Sequence, residues 1–185
     1  MAIDTVKLKK HFDKGNFNQG APAFKYACWY IVNLIFFKSG LVPFSNILVF
    51  VLRRFGATIG KNVRIKPGIH IRYPWKLTVG DFCWLGECYI DNLDLVIIGK
   101  NVCISQKAIL ITGNHDYSSQ SFNLITKPIL LEDGVWICAG SMIAPGIVAS
   151  SHSILSIGSV ATQNMEEYTI YQGNPAIKIR KRCIF

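Results

Sequence analysis

From Leu131 onward every sixth residue is aliphatic or alanine: Leu131, Ile137, Ile143, Ala149, Leu155 and Ala161. A period of six fits neither a helix nor a simple alternating strand. Three residues after each of these come Gly134, Gly140, Gly146, His152, Gly158 and Asn164, residue types that tolerate positive φ. Each hexad therefore predicts a short strand followed by a tight turn. The pattern opens at Ile59-Gly-Lys-Asn and Ile65-Lys-Pro-Gly, returns after a two-residue slip at Val79 and Leu85, and runs on through Ile98 and Ile104. Hexads with an apolar residue inward and a turn outward can stack as a triangular prism of parallel strands, each coil covering the apolar edge of the next. The predicted fold is mainly β, a parallel β-helix over residues 57–176.

Two departures from the period carry information. Between Ile111 and Pro128 the repeat disappears into a polar stretch too long for a hexad turn, which predicts an extruded loop over 112–128. Loops held on a rigid scaffold are where function concentrates. Before the repeats, Phe24 to Phe37 and Phe44 to Phe55 are apolar runs split by Gly40 and Pro43. Both predict helices too short to span a bilayer. Within an N-terminal arm and cap of residues 1–56, they are expected to cover the open first coil, whose strand edges would otherwise be free to pair. Trp29, Tyr30 and Phe36 with nearby Lys also suit peripheral contact with a membrane surface. A basic tail, 177–185, closes the chain.

Charge narrows the partners. The net charge is +9, with basic clusters toward the two ends, in Lys7, Lys9 and Lys10 and in Lys178, Arg180, Lys181 and Arg182. That placement argues against a nucleic-acid groove along the fold, so no nucleic-acid partner is expected. The six cysteines form neither C-x-x-C pairs nor zinc-spaced sets with histidine and read as reduced thiols. The first twenty residues are polar with no secretory pattern, so the chain is expected in the cytoplasm, at most peripheral to the inner membrane.

The hexads together with Thr112-Gly-Asn-His115-Asp116-Tyr117, Pro128-Ile129 and Val135-Trp136-Ile137 resemble the hexapeptide-repeat sugar O-acetyltransferases. More narrowly, Phe55-Gly-Ala-Thr-Ile-Gly, Tyr73-Pro-Trp75, Ile104-Ser-Gln106 and Gly113-Asn-His-Asp-Tyr resemble the acetyltransferases of colanic acid and related exopolysaccharide biosynthesis. The resemblance implies a left-handed winding, a homotrimer, acetyl-CoA as cosubstrate without a metal, and a saccharide acceptor, lipid- or nucleotide-linked. It also implies direct attack in a ternary complex.

In that chemistry the acceptor hydroxyl needs a base and the oxyanion needs donors. His115 is the expected base, because it lies in the extruded loop and imidazole titrates near working pH. Asp116 or a backbone carbonyl would hold its tautomer. By the resemblance, Asn92 would orient acceptor or oxyanion, and Trp136, Asp91 and Tyr117 would contact the acceptor. Small residues at 138–141 and 156–162 suit a pantetheine groove. There the resemblance implies Ala139, Ser156, Ile157, Thr162, Gln163 and Asn174, with Lys178 and Arg180 toward the CoA phosphates. Gln163 stands where many relatives carry Lys. Two rival readings share the fold: a zinc carbonic anhydrase using His70, His115 and His152, and a non-catalytic scaffold.

Overall fold

The computed structural model describes residues 5–8, 10, 14–15 and 17–185. Lys9 of the expected N-terminal basic cluster lies outside them. Three parallel sheets form the faces of a prism. Face 1 stacks Thr58–Ile59, Leu77–Val79, Val96–Ile98, Ile129–Leu131 and Val148–Ala149. Face 2 stacks Arg64–Ile65, Trp84–Leu85, Cys103–Ile104, Trp136–Ile137, Ile154–Leu155 and Thr169–Gly173, and Ala176–Lys181 then folds back antiparallel. Face 3 stacks His70–Ile71, Tyr89–Asp91, Ile109–Ile111, Met142–Ile143 and Val160–Ala161. The β-helix expected from the hexads is therefore present. Residues 177–181, expected in a separate tail, are part of its last strand.

The hexad residues Ile59, Ile65, Leu85, Ile98, Ile104, Leu131, Ile137, Ile143, Ala149, Leu155 and Ala161 all point inward and are at most 7% exposed. Gly134, Gly140, Gly146, His152 and Gly158 take the left-handed turn conformation. Asn164 does not; its side-chain oxygen instead accepts the Val148 N–H at 2.9 Å. The two-residue slip before Val79 is a 3-10 turn, Pro74–Lys76, at one corner. Gly80 shows how tightly the coils stack: a Cβ there would lie 2.6 Å from the Gly99 carbonyl carbon.

Helices α1 (Ala23–Asn33) and α2 (Ser45–Arg54) cover the first coil. Each face's open strand edge is closed by one of their side chains. Arg53 donates to the Ile59 carbonyl on face 1. The Ser45 hydroxyl accepts the Ile65 N–H at 2.8 Å on face 2, and the Trp29 indole donates to the Ile71 carbonyl at 3.2 Å on face 3. Trp29 is 1% exposed and Phe36 partly buried, so these two face the core and not a membrane. Among the described residues no helix is long and apolar enough to cross a membrane.

Candidate active site

Successive coils advance by 16 to 20 residues, as where Thr58 pairs with Thr78 and Ile154 with Ile170, but Ile97 pairs with Leu130, 33 residues on. The surplus leaves at the corner between faces 3 and 1 as an antiparallel hairpin, Gly113–His115 against Leu124–Thr126. Thr112 roots it. This fully buried side chain donates to the Asp91 carbonyl at 3.0 Å and accepts the Asp94 N–H at 2.9 Å. The N-terminal arm lies across the hairpin, with the Lys7 N–H on the Gln120 carbonyl at 2.8 Å.

On this hairpin the His115 ring stacks on Phe122, with centroids 4.6 Å apart and planes 7° from parallel. Its Nδ1 lies 2.8 Å from the Phe122 carbonyl oxygen. A carbonyl can only accept, so in neutral imidazole Nδ1 carries the hydrogen and Nε2 keeps the lone pair. Asp116 is turned away: its carboxylate accepts both the hydroxyl and the N–H of Ser118, and these bonds hold its pKa below the usual range. Of the two orienting groups expected, the carbonyl is the one in place. Tyr117 stands exposed at the hairpin tip.

Trp136 stands on the outer side of face 2, the face opposite the hairpin corner. One row across this face runs Arg64, Trp84, Cys103, Trp136 and Ile154. The Trp136 indole donates to the Ser105 hydroxyl at 3.0 Å. Beside it is a groove of about 210 Å³ lined by Arg64, Lys66, Trp84, Cys103, Ser105 and Gln106. The two indoles stand two strand spacings apart, about 10 Å. Within one chain His115 and Trp136 are therefore not brought together. Burial pushes the Cys138 thiol up to about 11, with Cys103 beside it adding to the shift, and burial also raises Cys103. Neither thiol is a ready nucleophile near neutral pH.

The expected cofactor residues fall in two adjoining places. Ala139, Ser156 and Ile157 lie at the corner between faces 2 and 3, where the Gly158 N–H bonds to the Ala139 carbonyl at 3.0 Å. A Cβ at Gly140 or Gly158 would meet nothing within 4 Å, so this corner is bare. Thr162, Gln163 and Lys178 share a cavity of about 320 Å³ with Glu166, Tyr171 and Pro175 at the end of the prism. Asn174 is in the adjoining turn, and Arg180 lies further along the last strand, opposite Ile170. Lys178 Nζ pairs with Glu166 at 2.5 Å, which raises the lysine pKa and lowers that of the carboxyl.

No family model matches the chain. It is 36% identical over 165 residues to the protein named colanic acid biosynthesis acetyltransferase WcaF of Escherichia coli K12, covering 89% of this chain and 91% of that one. The chain belongs to the hexapeptide-repeat acetyltransferases. The fold agrees: the hexapeptide-repeat acetyltransferase VCA0836 of Vibrio cholerae, solved with acetyl-CoA, superposes with a TM-score of 0.81 at 21% identity, over 94% of this chain and 97% of that one. A galactoside acetyltransferase solved with coenzyme A gives a TM-score of 0.73 at 19% identity, over 90% and 84%.

As a hexapeptide-repeat acetyltransferase, this chain departs from the expected site at Asn92. The side chain is 0% exposed, and both ends of its amide are occupied by one residue: Oδ1 accepts the Tyr73 N–H at 2.9 Å and Nδ2 donates to the Tyr73 carbonyl at 2.7 Å. Asn92 braces the corner where the 3-10 turn enters, its side chain closed off from the surface. Its neighbour Asp91 is only partly buried and pairs with Arg72 at 2.9 Å, beside the hairpin root. The three histidines of the zinc reading are dispersed. His70 stacks on Tyr89 on face 3, His115 on Phe122 in the hairpin, and His152 on Tyr168 at a turn. Among the described residues no cluster of metal-ligating side chains is assembled. Sequence reasoning missed Phe122, which nothing in the sequence marks. It also missed Trp84, which the hexad register marks, since Trp84 and Trp136 hold the same place in their coils.

Proposed function

We propose that this acetyltransferase moves acetyl from acetyl-CoA to a hydroxyl of a saccharide of a cell-surface glycan, with His115 as general base and three copies assembled around shared sites. The observation that carries it is the Phe122 carbonyl on His115 Nδ1, which leaves Nε2 as the basic nitrogen on a hairpin anchored at Thr112. The acceptor hydroxyl gives its proton to Nε2 as its oxygen attacks the thioester carbonyl. The tetrahedral intermediate then collapses, the C–S bond breaks, and the imidazolium returns the proton to the CoA thiolate. No covalent enzyme intermediate is required, in keeping with the raised pKa values of Cys103 and Cys138.

Placement supports such an assembly. The hairpin and the Trp84–Trp136 groove lie on opposite sides of one prism, so a hairpin from one copy meets the groove of a second. The flat indoles bed a sugar ring, and Asp91 serves acceptor hydroxyls from the hairpin side. The pantetheine arm runs along the bare corner at Ala139, Ser156 and Ile157. The CoA phosphates lie toward Lys178 and Arg180, where they displace Glu166 from Lys178. The test is thiol release from acetyl-CoA with a panel of mono- and oligosaccharides, comparing wild type with His115→Ala. A loss of roughly a hundredfold or more is expected for removal of a general base. Unchanged turnover in the variant would remove His115 from the mechanism.

A further inference from the structure

The N-terminal cap has two apolar sides. Its inner side, with Trp29, Phe37, Leu48 and Leu52, is buried against the first coil. Its outer side is also apolar where a solvated cap would be polar. On α1 and the turn after it, Phe24 is 79%, Ile31 59% and Ile35 54% exposed, residues spaced to share one helical face. Around α2, Leu41 is 81%, Phe44 65% and Phe50 63% exposed. Exposed apolar surface on this scale marks an interaction site.

Charge identifies the occupant. From residue 14 to residue 80 the chain holds ten Lys or Arg and no Asp or Glu, so the basic excess is concentrated here and not in the two terminal clusters named above. Lys25 lies in the first turn of α1, Lys38 ends the π-helical turn Leu34–Lys38 that follows it, and Arg54 is exposed at the end of α2. Two copies of such a surface repel each other. An anionic lipid surface attracts it, while the headgroup boundary takes up the apolar side chains. We infer that the N-terminal cap is an interfacial anchor that seats on the anionic surface of a lipid bilayer. On the transfer reading above, this sets the cap-proximal groove of Arg64, Lys66 and Trp84 beside the membrane, where a lipid-linked saccharide would present its sugars.

The test is co-sedimentation of the full chain with phosphatidylcholine vesicles, with and without about 30 mol % phosphatidylglycerol. Expected are binding to the anionic vesicles, much weaker binding to the neutral ones, and release by about 0.5 M salt. A variant carrying Phe24→Ser, Ile31→Ser, Phe44→Ser and Phe50→Ser should bind at least roughly tenfold more weakly, with the same melting temperature and oligomeric state. Wild type that stays in the supernatant with anionic vesicles would overturn the inference, as would a quadruple variant that binds undiminished. A variant that binds less but also changes oligomeric state would reassign the face to contact between copies. None of these readouts depends on acetyl transfer.

Discussion

Replacing Asn92 separates a bracing role from a catalytic one. In Asn92→Ala the buried Tyr73 N–H loses its partner at 2.9 Å, while the Tyr73 carbonyl loses one at 2.7 Å but still accepts the Lys76 N–H at 3.0 Å. Leaving a buried polar group unsatisfied costs about 1–3 kcal/mol, and losing one of two hydrogen bonds on a carbonyl about 0.5–1.5 kcal/mol. Together these cost about 1–4 kcal/mol, allowing for partial relaxation. For a chain of this size that is a melting temperature lower by roughly 3–12 °C. The assay is a thermal melt followed by circular dichroism, with thiol-release kinetics at a temperature where both proteins are folded. Turnover of the variant is expected within about threefold of wild type, the range for a residue that touches no reacting atom. Asn92→Asp adds a pH signature. A carboxylate can still accept the Tyr73 N–H but repels its carbonyl, whereas the protonated acid can donate to it. The folded state then binds the proton more tightly than the unfolded state, so this variant gains stability as pH falls. A hundredfold loss of turnover at unchanged melting temperature would refute the bracing role and return Asn92 to the site.

Gly80→Ala forces a methyl group against the Gly99 backbone and is expected to cost about 1–3 kcal/mol or more, because neither coil can yield. Gly140→Ala meets open space and carries only the positive-φ penalty of about 1–2 kcal/mol; denaturant melts of the two variants side by side check the order. Burial, with Lys38 and Arg72 nearby, lowers the His70 pKa to about 4. Its unfolded form therefore binds a proton first as pH falls, and stability is expected to decline from about pH 6.5 toward 4. His70→Gln should flatten that part of a plot of melting temperature against pH, and an unchanged slope would show that other groups set it.

The scaffold was legible because its rule is local: an inward aliphatic residue every six positions writes each strand and turn into consecutive residues. The break at Ile111 to Pro128 likewise showed where the chain leaves the prism. What could not be read is set by contacts across coils. Asn92 and Asp91 are adjacent in sequence, and only the coil beneath decides that one is buried on Tyr73 while the other pairs with Arg72. The support of His115 comes from a main-chain carbonyl, and every residue type carries one, so no side chain announces it. Trp29 read as interfacial because an indole suits both a core and a membrane boundary. Its partner, the Ile71 carbonyl, lies 42 positions away.

The 33-residue coil also bears on how such a chain can change over time. Val96–Ile98 and Ile129–Leu131 remain in register across the hairpin, pairing residue for residue as though nothing had been inserted between them. The segment carrying His115 is thus a side branch whose length is uncoupled from the stack. Chain entropy resists a longer branch only logarithmically, by about 0.6 kcal/mol for each doubling. Lineages can lengthen, trim or reshape the branch, and so change what it reaches, while the prism beneath inherits its packing unaltered.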